Sequence, residues 1–253
     1  MTISRQALER YLNTTLMASQ INDYCPNGLQ VEGKADIAKV VTGVTASEAL
    51  IDAAIDANAD AILVHHGYFW KGEAYPIVGM KKNRISKLIK HDINLFAYHL
   101  PIDVHPEFGN NAQLAKILGI NNVKPAEGFS PEGIVMQGEL PHALSIAELA
   151  KLINTQLQRE PLICDARNKK IKTLAWCTGG GQSFIEQAAE LNVDAFLTGE
   201  ASEKTIHSSR ELNIDFISAG HHATERCGIK SLGEHLTQQF SLDVEFIDIH
   251  NPV

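Results

Sequence analysis

Short apolar runs alternate with amphipathic stretches along most of the chain. The short runs predict buried strands, and stretches with apolar residues three or four positions apart predict helices. Because strands and helices alternate, the sequence predicts an α/β protein with mixed, largely parallel sheets. Strands are predicted at residues 39–44, 60–64, 93–98, 133–140, 172–177, 194–198, 215–218 and 244–249, and helices at 4–17, 47–57, 81–91, 110–118, 145–157, 182–190, 201–212 and 224–240.

Two stretches of the sequence resemble each other. Residues 40–60 align without a gap onto residues 174–194, strand over strand and helix over helix. Chance similarity is the alternative, because buried parallel strands share the same composition. Internal duplication predicts two similar, interlocked α/β lobes, residues 1–126 and 127–253, with an approximate boundary.

Residues that can bind metal cluster at the ends of predicted strands, where open α/β sheets place their chemistry. His65 and His66 end an apolar run, and Asp103 follows the next strand in a proline-containing loop. Neighbouring side chains in a strand point to opposite sides. The two histidines therefore suit two ions, or one histidine binds an ion and the other contacts a ligand of that ion. His221 and Glu225 lie four residues apart at the start of a helix and share one face. We predict that these groups form a metal site. The alternative is that each is an ordinary polar residue at the end of a strand.

Imidazole and carboxylate together suit zinc, manganese, iron, nickel or cobalt, and the lack of thiolates disfavours copper(I) and iron–sulfur clusters. His99, His105 and His222 are better candidates for orienting ligands or contacting a substrate than for direct ligation.

The turn formed by Gly179, Gly180 and Gly181 lies between a predicted strand and a predicted helix. Its backbone amides could bind a phosphate or carboxylate. The alternative is a tight turn that needs positive φ angles.

Composition narrows the functional classes. The chain has 253 residues, of which 44% are hydrophobic, so it can bury a substantial core. Its formal charge of −8 disfavours broad binding to nucleic acid. The four cysteines are widely separated, which predicts buried, reduced thiols. We expect a cytoplasmic protein, since the sequence shows neither a signal peptide nor a membrane-spanning apolar run.

Four motifs together closely resemble the NIF-three-like family, also called the GTP cyclohydrolase 1 type 2 homologs. The match spans nearly the whole chain in the family's order and is similar to the short bacterial form, with no room for an inserted domain. The motifs are CPNGLQV at residues 25–31, VHHGYFW at 64–70, YHLPIDVHP at 98–106 and SAGHHATER at 218–226.

The resemblance implies a dinuclear metal centre in a cleft between two similar lobes, with subunits forming a toroidal homohexamer. The family's ligands correspond to His65, His66, Asp103, His221 and Glu225, and we expect Glu225 to bridge two divalent ions.

The resemblance also implies a metal-dependent hydrolase that uses a metal-bridging hydroxide. His99 or His105 would transfer protons, and the family name suggests a small-molecule substrate such as GTP. The alternative is a metal-stabilised, ring-shaped adaptor whose partners are proteins or DNA.

Overall fold

The predicted strands form two mixed sheets in the computed structural model, which describes residues 1–253. One sheet has the order β13-β4-β5-β6-β2, the other has the order β7-β8-β10-β11-β12-β9, and β1 pairs with β3. The α/β class with parallel and antiparallel pairing is therefore confirmed. The strands are β1 (Ile3–Ser4), β2 (Gly28–Val31), β3 (Asp36–Ile37), β4 (Lys39–Thr45), β5 (Ala61–His66), β6 (Asn94–Ala97), β7 (Asn121–Pro125), β8 (Met136–Leu144), β9 (Leu162–Cys164), β10 (Ile171–Trp176), β11 (Ala195–Thr198), β12 (Asp215–Ser218) and β13 (Asp243–Phe246).

Nine α-helices connect or flank these strands, and short 3₁₀ turns cover Ala18–Gln20 and Gln182–Phe184. Serine side chains cap several helix starts, because their oxygens accept hydrogen bonds from backbone amides of the first turn. The helices are α1 (Arg5–Thr15), α2 (Glu48–Asp56), α3 (Gly79–Lys90), α4 (Leu100–Val104), α5 (Asn110–Leu118), α6 (Ile146–Leu157), α7 (Ile185–Glu190), α8 (Glu203–Leu212) and α9 (His221–Phe240).

Contacts group the chain into two units. The first unit comprises Met1–Ile102 and Gly228–His250, and the second comprises Asp103–Cys227 and Asn251–Val253. This grouping differs from the division after residue 126 that the sequence suggested. β7 pairs with β8 in the second unit, and β13 pairs with β4 in the first, so the chain leaves the first unit earlier and returns to it near the end.

The first unit is built around three parallel strands, β4, β5 and β6, and β13 adds a fourth parallel strand beside β4. α2 and α3 supply Leu50 and Leu88 to its core, where they pack with Ile62 and Leu95 from the sheet. β2 closes one edge in the antiparallel direction. The carboxyl ends of β5 and β6 therefore lie at the same end of this sheet.

The second unit also contains three parallel strands, β10, β11 and β12. Its core combines Leu149 and Ile153 of α6 with Leu174, Leu197 and Ile217 of the sheet. β8 and β9 run antiparallel on either side. The internal duplication stays a prediction, although each unit repeats the same central pattern.

An aspartate holds the start of the central strands in each unit. Asp60 Oδ2 accepts hydrogen bonds from the amides of Ala38 and Lys39, at 2.9 and 3.0 Å. Asp194 Oδ2 accepts hydrogen bonds from the amides of Lys172 and Thr173, both at 2.8 Å. Burial raises the pKa of each carboxyl, but these hydrogen bonds and nearby cations outweigh it, so both pKa values lie below the ordinary range.

No disulfide joins the four cysteines. Cys164 and Cys177 are buried, as expected, whereas Cys25 and Cys227 are partly exposed. None of the helices has the length and apolar character that a bilayer-crossing segment requires.

We predict that Asp194→Ala lowers the free energy of unfolding by about 2 kcal/mol, because two backbone donors lose their acceptor. Urea denaturation measures this change. The control is Asp56→Ala, which alters an exposed residue of α2 and should shift stability by less than about 0.5 kcal/mol. Equal effects of the two substitutions would contradict this role of Asp194.

Candidate metal centre

Strand β5 places two imidazoles at its carboxyl end. His65 is fully buried, and His66 is partly exposed. The next residue must be glycine, since a Cβ at Gly67 would collide with Gln30 Oε1 and Ala97 Cβ. The rings of His65 and His66 do not diverge as strand alternation suggested: their centroids are 4.3 Å apart. Both residues belong to β5, so alternation separates their Cβ atoms, but the length of the imidazole side chains still lets the rings approach each other.

The Nδ1 atoms of both histidines have hydrogen-bond partners in the first unit. His65 Nδ1 lies 3.2 Å from the carbonyl oxygen of Tyr98, which can only accept, so this nitrogen carries the proton. His66 Nδ1 lies 3.1 Å from Thr45 Oγ1 on the neighbouring strand. In the neutral His65 ring the lone pair is therefore on Nε2, the form that binds metals.

His99 completes a group of three imidazoles in the first unit. Its ring centroid is 5.0 Å from that of His65 and 5.7 Å from that of His66. One potential ligand atom from each of these histidines lies within 4.8 Å of the others. His99 follows β6, so the carboxyl ends of two adjacent parallel strands bring the group together.

Asp23 is a functional candidate that sequence reasoning missed. Its Oδ1 atom lies 2.9 Å from His99 Nδ1. Burial raises the pKa of Asp23, but its contacts with His99, Asn27 and Leu100 outweigh this and lower the pKa to about 2. Asp23 and His99 lie far apart in sequence, and the sequence pattern gives no signal that pairs them.

His221 and Glu225 lie one turn apart at the start of α9, as their spacing predicted. His221 Nε2 lies 3.2 Å from Glu225 Oε2, and its Nδ1 lies 2.7 Å from Glu200 Oε1. Gln182 Nε2 donates to the other oxygen of Glu200, at 3.0 Å. Burial lowers the pKa of His221, but the hydrogen bonds and charges of Glu225 and Glu200 outweigh it and raise the pKa to about 9.

Asp103 and Glu225 are buried carboxylates of the second unit, 5% and 2% exposed. Asp103 Oδ1 accepts hydrogen bonds from Asn110 Nδ2 at 2.8 Å and from Thr178 Oγ1 at 3.3 Å. Burial, together with the charges of Asp103 and Glu225, raises the pKa of the nearby Cys177 thiol well above its ordinary value. The buried carboxylates Asp103 and Glu225 thus concentrate negative charge in the second unit, and a bound cation would neutralise it.

The glycine turn has a steric role beside Glu225. Gly179 has a φ of +65°, and a Cβ there would collide with Glu225 Oε1. The amide of Gly179 donates to Thr224 Oγ1 and that of Gly181 donates to Thr198 Oγ1, both at 3.0 Å. Anion binding by Gly179, Gly180 and Gly181 stays a prediction, and two of the three amides already have protein acceptors.

His105 lies in a different setting from the other histidines. Its Nδ1 accepts hydrogen bonds from the amides of Glu107 and Phe108, at 3.2 and 3.0 Å. The ring also stacks on Phe108, with centroids 4.7 Å apart. These contacts give His105 a structural role in the turn before α5, and its predicted role in proton transfer gains no support from them.

The donor groups fit divalent metal ions. Taken by itself, the first unit has three closely spaced imidazoles. The second unit, likewise by itself, has an imidazole beside buried carboxylates. Histidine ligands of metals usually donate the proton of the other ring nitrogen to a carboxylate or a carbonyl, which fixes the tautomer. Here Tyr98 and Glu200 supply such acceptors to His65 and His221.

Comparison with known proteins gives consistent matches over the whole chain. The sequence pattern of the Duf34/NIF3 (NGG1p interacting factor 3) family matches residues 3–252. A Yersinia pestis protein named GTP cyclohydrolase 1 type 2 homolog is 56% identical over 97% of this chain and 98% of its own length. A Pseudomonas aeruginosa protein of the same name is 52% identical over 100% of both chains. The solved structure of protein ybgI, of unknown function, has a TM-score of 0.95 and 54% identity over 99% of this chain and 100% of that chain.

The raised pKa of His221 predicts pH-dependent stability in the metal-free protein. The pKa in the folded state, about 9, exceeds the ordinary value of 6.5. Protonated His221 therefore stabilises the fold fully below pH 6.5, and this contribution is lost as the pH rises through about 9. Thermal unfolding of chelator-treated protein across this range measures the loss. Glu200→Gln should make the loss smaller, whereas the exposed control Glu203→Gln should not; identical profiles for all three proteins would contradict the assignment.

Proposed function

Because the chain belongs to the Duf34/NIF3 (NGG1p interacting factor 3) family, we propose that it binds two divalent metal ions and hydrolyses a small-molecule substrate with them. The family resemblance inferred from four sequence motifs is confirmed by this match and by the Yersinia and Pseudomonas relatives. The proposed ligands are His65, His66, Asp103, His221 and Glu225. Iron, manganese, zinc, nickel and cobalt all suit this donor set.

The observation that carries the proposal is the hydrogen bonding at the Nδ1 atoms of the proposed histidine ligands. His65, His66 and His221 each have a hydrogen-bond partner within 3.2 Å of this atom. Such partners fix the orientation of the ring and direct Nε2 towards a bound ion. Ordinary polar residues at a strand end would not need this common arrangement.

The residues of the chain hold the proposed ligands before any ion binds. Asn110 and Thr178 fix Asp103, and Glu200 fixes His221. Glu225 is the proposed bridge, since a carboxylate offers two oxygens and the glycine at position 179 leaves room for it. Two bound divalent ions would lower the pKa of a water molecule and stabilise the negative charge that develops during hydrolysis.

The name of the relatives suggests where to look for the substrate. The Yersinia pestis and Pseudomonas aeruginosa proteins are named GTP cyclohydrolase 1 type 2 homologs. We propose nucleotides, GTP among them, as the first class to screen, followed by phosphoesters and small amides.

A second candidate function is a metal-stabilised, ring-shaped adaptor, proposed as a homohexamer. One observation favours it: the segment after β5 exposes several large apolar side chains, and such patches often mark association surfaces. Tyr75 is 97% exposed, Val78 is 65% exposed and Met80 is 62% exposed. Protein or DNA partners would then bind the assembled ring, and the metals would be structural.

Freshly purified protein, kept free of chelators, should contain about two divalent ions per chain when measured by elemental mass spectrometry. Fewer than about one ion per two chains would contradict the dinuclear centre.

Glu225→Gln should weaken metal binding at least about tenfold, because the amide removes the negative charge that bridges the ions. The matched control is Glu234→Gln, an exposed residue of the same helix α9. The hydrolase proposal predicts that Glu225→Gln abolishes turnover while the oligomeric state, measured by light scattering, is retained. Loss of assembly without any turnover by the wild-type protein would favour the adaptor.

A further inference from the structure

We propose that His99 is an additional metal ligand through Nε2, and that Asp23 is the residue that positions it. This inference rests on the proposed metal centre: it adds His99 to the set of five ligands and assigns Asp23 the task of positioning it. It also replaces the sequence-based expectation that His99 transfers protons, because a nitrogen bound to a metal ion has no lone pair left to accept a proton.

The Asp23 carboxylate is surrounded by donors from two segments of the first unit, residues 24–27 and 99–100. Oδ1 accepts from the amide of Tyr24 at 2.7 Å and lies 2.9 Å from His99 Nδ1. Oδ2 accepts from Asn27 Nδ2 at 3.0 Å and from the amide of Leu100 at 2.9 Å. The side chain is only 3% exposed. A carboxylate with this set of donors acts as an acceptor towards His99, so the His99 proton lies on Nδ1 and the lone pair of the neutral ring lies on Nε2.

Other contacts fix the position of the His99 ring. Its backbone amide donates to Asn27 Oδ1 at 2.8 Å. Trp70 meets the ring edge-on, with centroids 4.9 Å apart, and Tyr24 does the same at 5.0 Å. Trp70 is itself held, because its indole nitrogen donates to the carbonyl oxygen of Gly67 at 3.2 Å. His99 therefore cannot rotate without breaking several contacts, which is the preorganisation expected of a ligand.

The fixed ring lies beside the two histidines of β5. Potential ligand atoms of His65, His66 and His99 lie within 4.8 Å of one another. Two imidazole nitrogens on one tetrahedral ion are about 3.3 Å apart, given metal–nitrogen bonds of about 2.0 Å. Side-chain shifts of about 1 Å would thus bring His99 and one of its neighbours to a common ion. The carboxylate–histidine–metal arrangement that results is a frequent one in metalloproteins.

A competing arrangement uses the other nitrogen of the same ring. Asp23, Cys25 and His99 also bring potential ligand atoms within 4.8 Å of one another. An ion there would bind Nδ1 and a thiolate, and it would replace the hydrogen bond between Asp23 and His99. The intact hydrogen bond favours the Nε2 arrangement, and the thiolate gives the alternative a distinct spectrum.

Cobalt(II) binding separates these possibilities, since its visible absorption bands report ligand number and geometry. The wild-type protein, His99→Gln, Asp23→Asn and the exposed control His142→Ala are each titrated with cobalt after chelator treatment. We expect His99→Gln to change the visible bands and lower cobalt affinity at least about tenfold, and Asp23→Asn to lower it about 10- to 100-fold. His142→Ala should match the wild type in both respects.

If His99→Gln shows the same visible bands and the same cobalt affinity as the wild type, the assignment of His99 is overturned. If the wild type shows a near-ultraviolet thiolate-to-cobalt band that is absent from Cys25→Ser, the ion occupies the thiolate site instead. Failure of the wild-type protein to bind cobalt would instead overturn the proposed metal centre itself. Circular dichroism checks the fold of each variant. If Asp23→Asn does not fold, X-ray absorption spectroscopy of the cobalt-loaded wild type counts the imidazole ligands instead. Four imidazoles bound to the two ions support the proposal, and three contradict it.

Discussion

The hydrogen bond at the Nδ1 atom of each clustered histidine is the constraint on which the proposed chemistry depends. Tyr98, Thr45, Asp23 and Glu200 provide the partners of His65, His66, His99 and His221, at 2.7 to 3.2 Å. Without such partners an imidazole can rotate and exchange tautomers, and its affinity for a metal falls. With them, each ring is held in position, and the acceptors Tyr98, Asp23 and Glu200 also place a proton on Nδ1 of His65, His99 and His221. These hydrogen bonds are already present without a bound ion, so only small shifts of the rings are needed when metal binds.

The two sheets explain why these groups lie where they do. In the first unit, parallel β5 and β6 end side by side, so His65 and His66 follow one strand while His99 follows the other. In the second unit, α9 starts soon after β12, and Glu225 lies one helical turn after His221. Asp60 and Asp194 hold the opposite ends of the central strands through backbone hydrogen bonds. The fold therefore fixes both ends of the strands that carry the site.

The sequence predicted the main elements because their apolar periodicity is strong; α5 and β12 have the predicted bounds. It did not predict β7, whose five residues are all exposed, or β9, which has only three residues, because neither carries a buried alternating pattern. The histidines and carboxylates were also found, since they stand at strand ends in recognisable motifs. The link between Asp23 and His99 could not be found in this way, because it joins residues 76 positions apart through a side-chain contact. Likewise, strand alternation could not predict that His65 and His66 lie side by side where the strand ends.

The most direct test of the account is anomalous X-ray diffraction from crystals of the zinc-loaded protein. The account predicts zinc within about 2.1 Å of the Nε2 atoms of His65, His66 and His221, with each Nδ1 still bound to its present hydrogen-bond partner. Zinc bound through Nδ1 of these rings, or no anomalous signal near them, would contradict it.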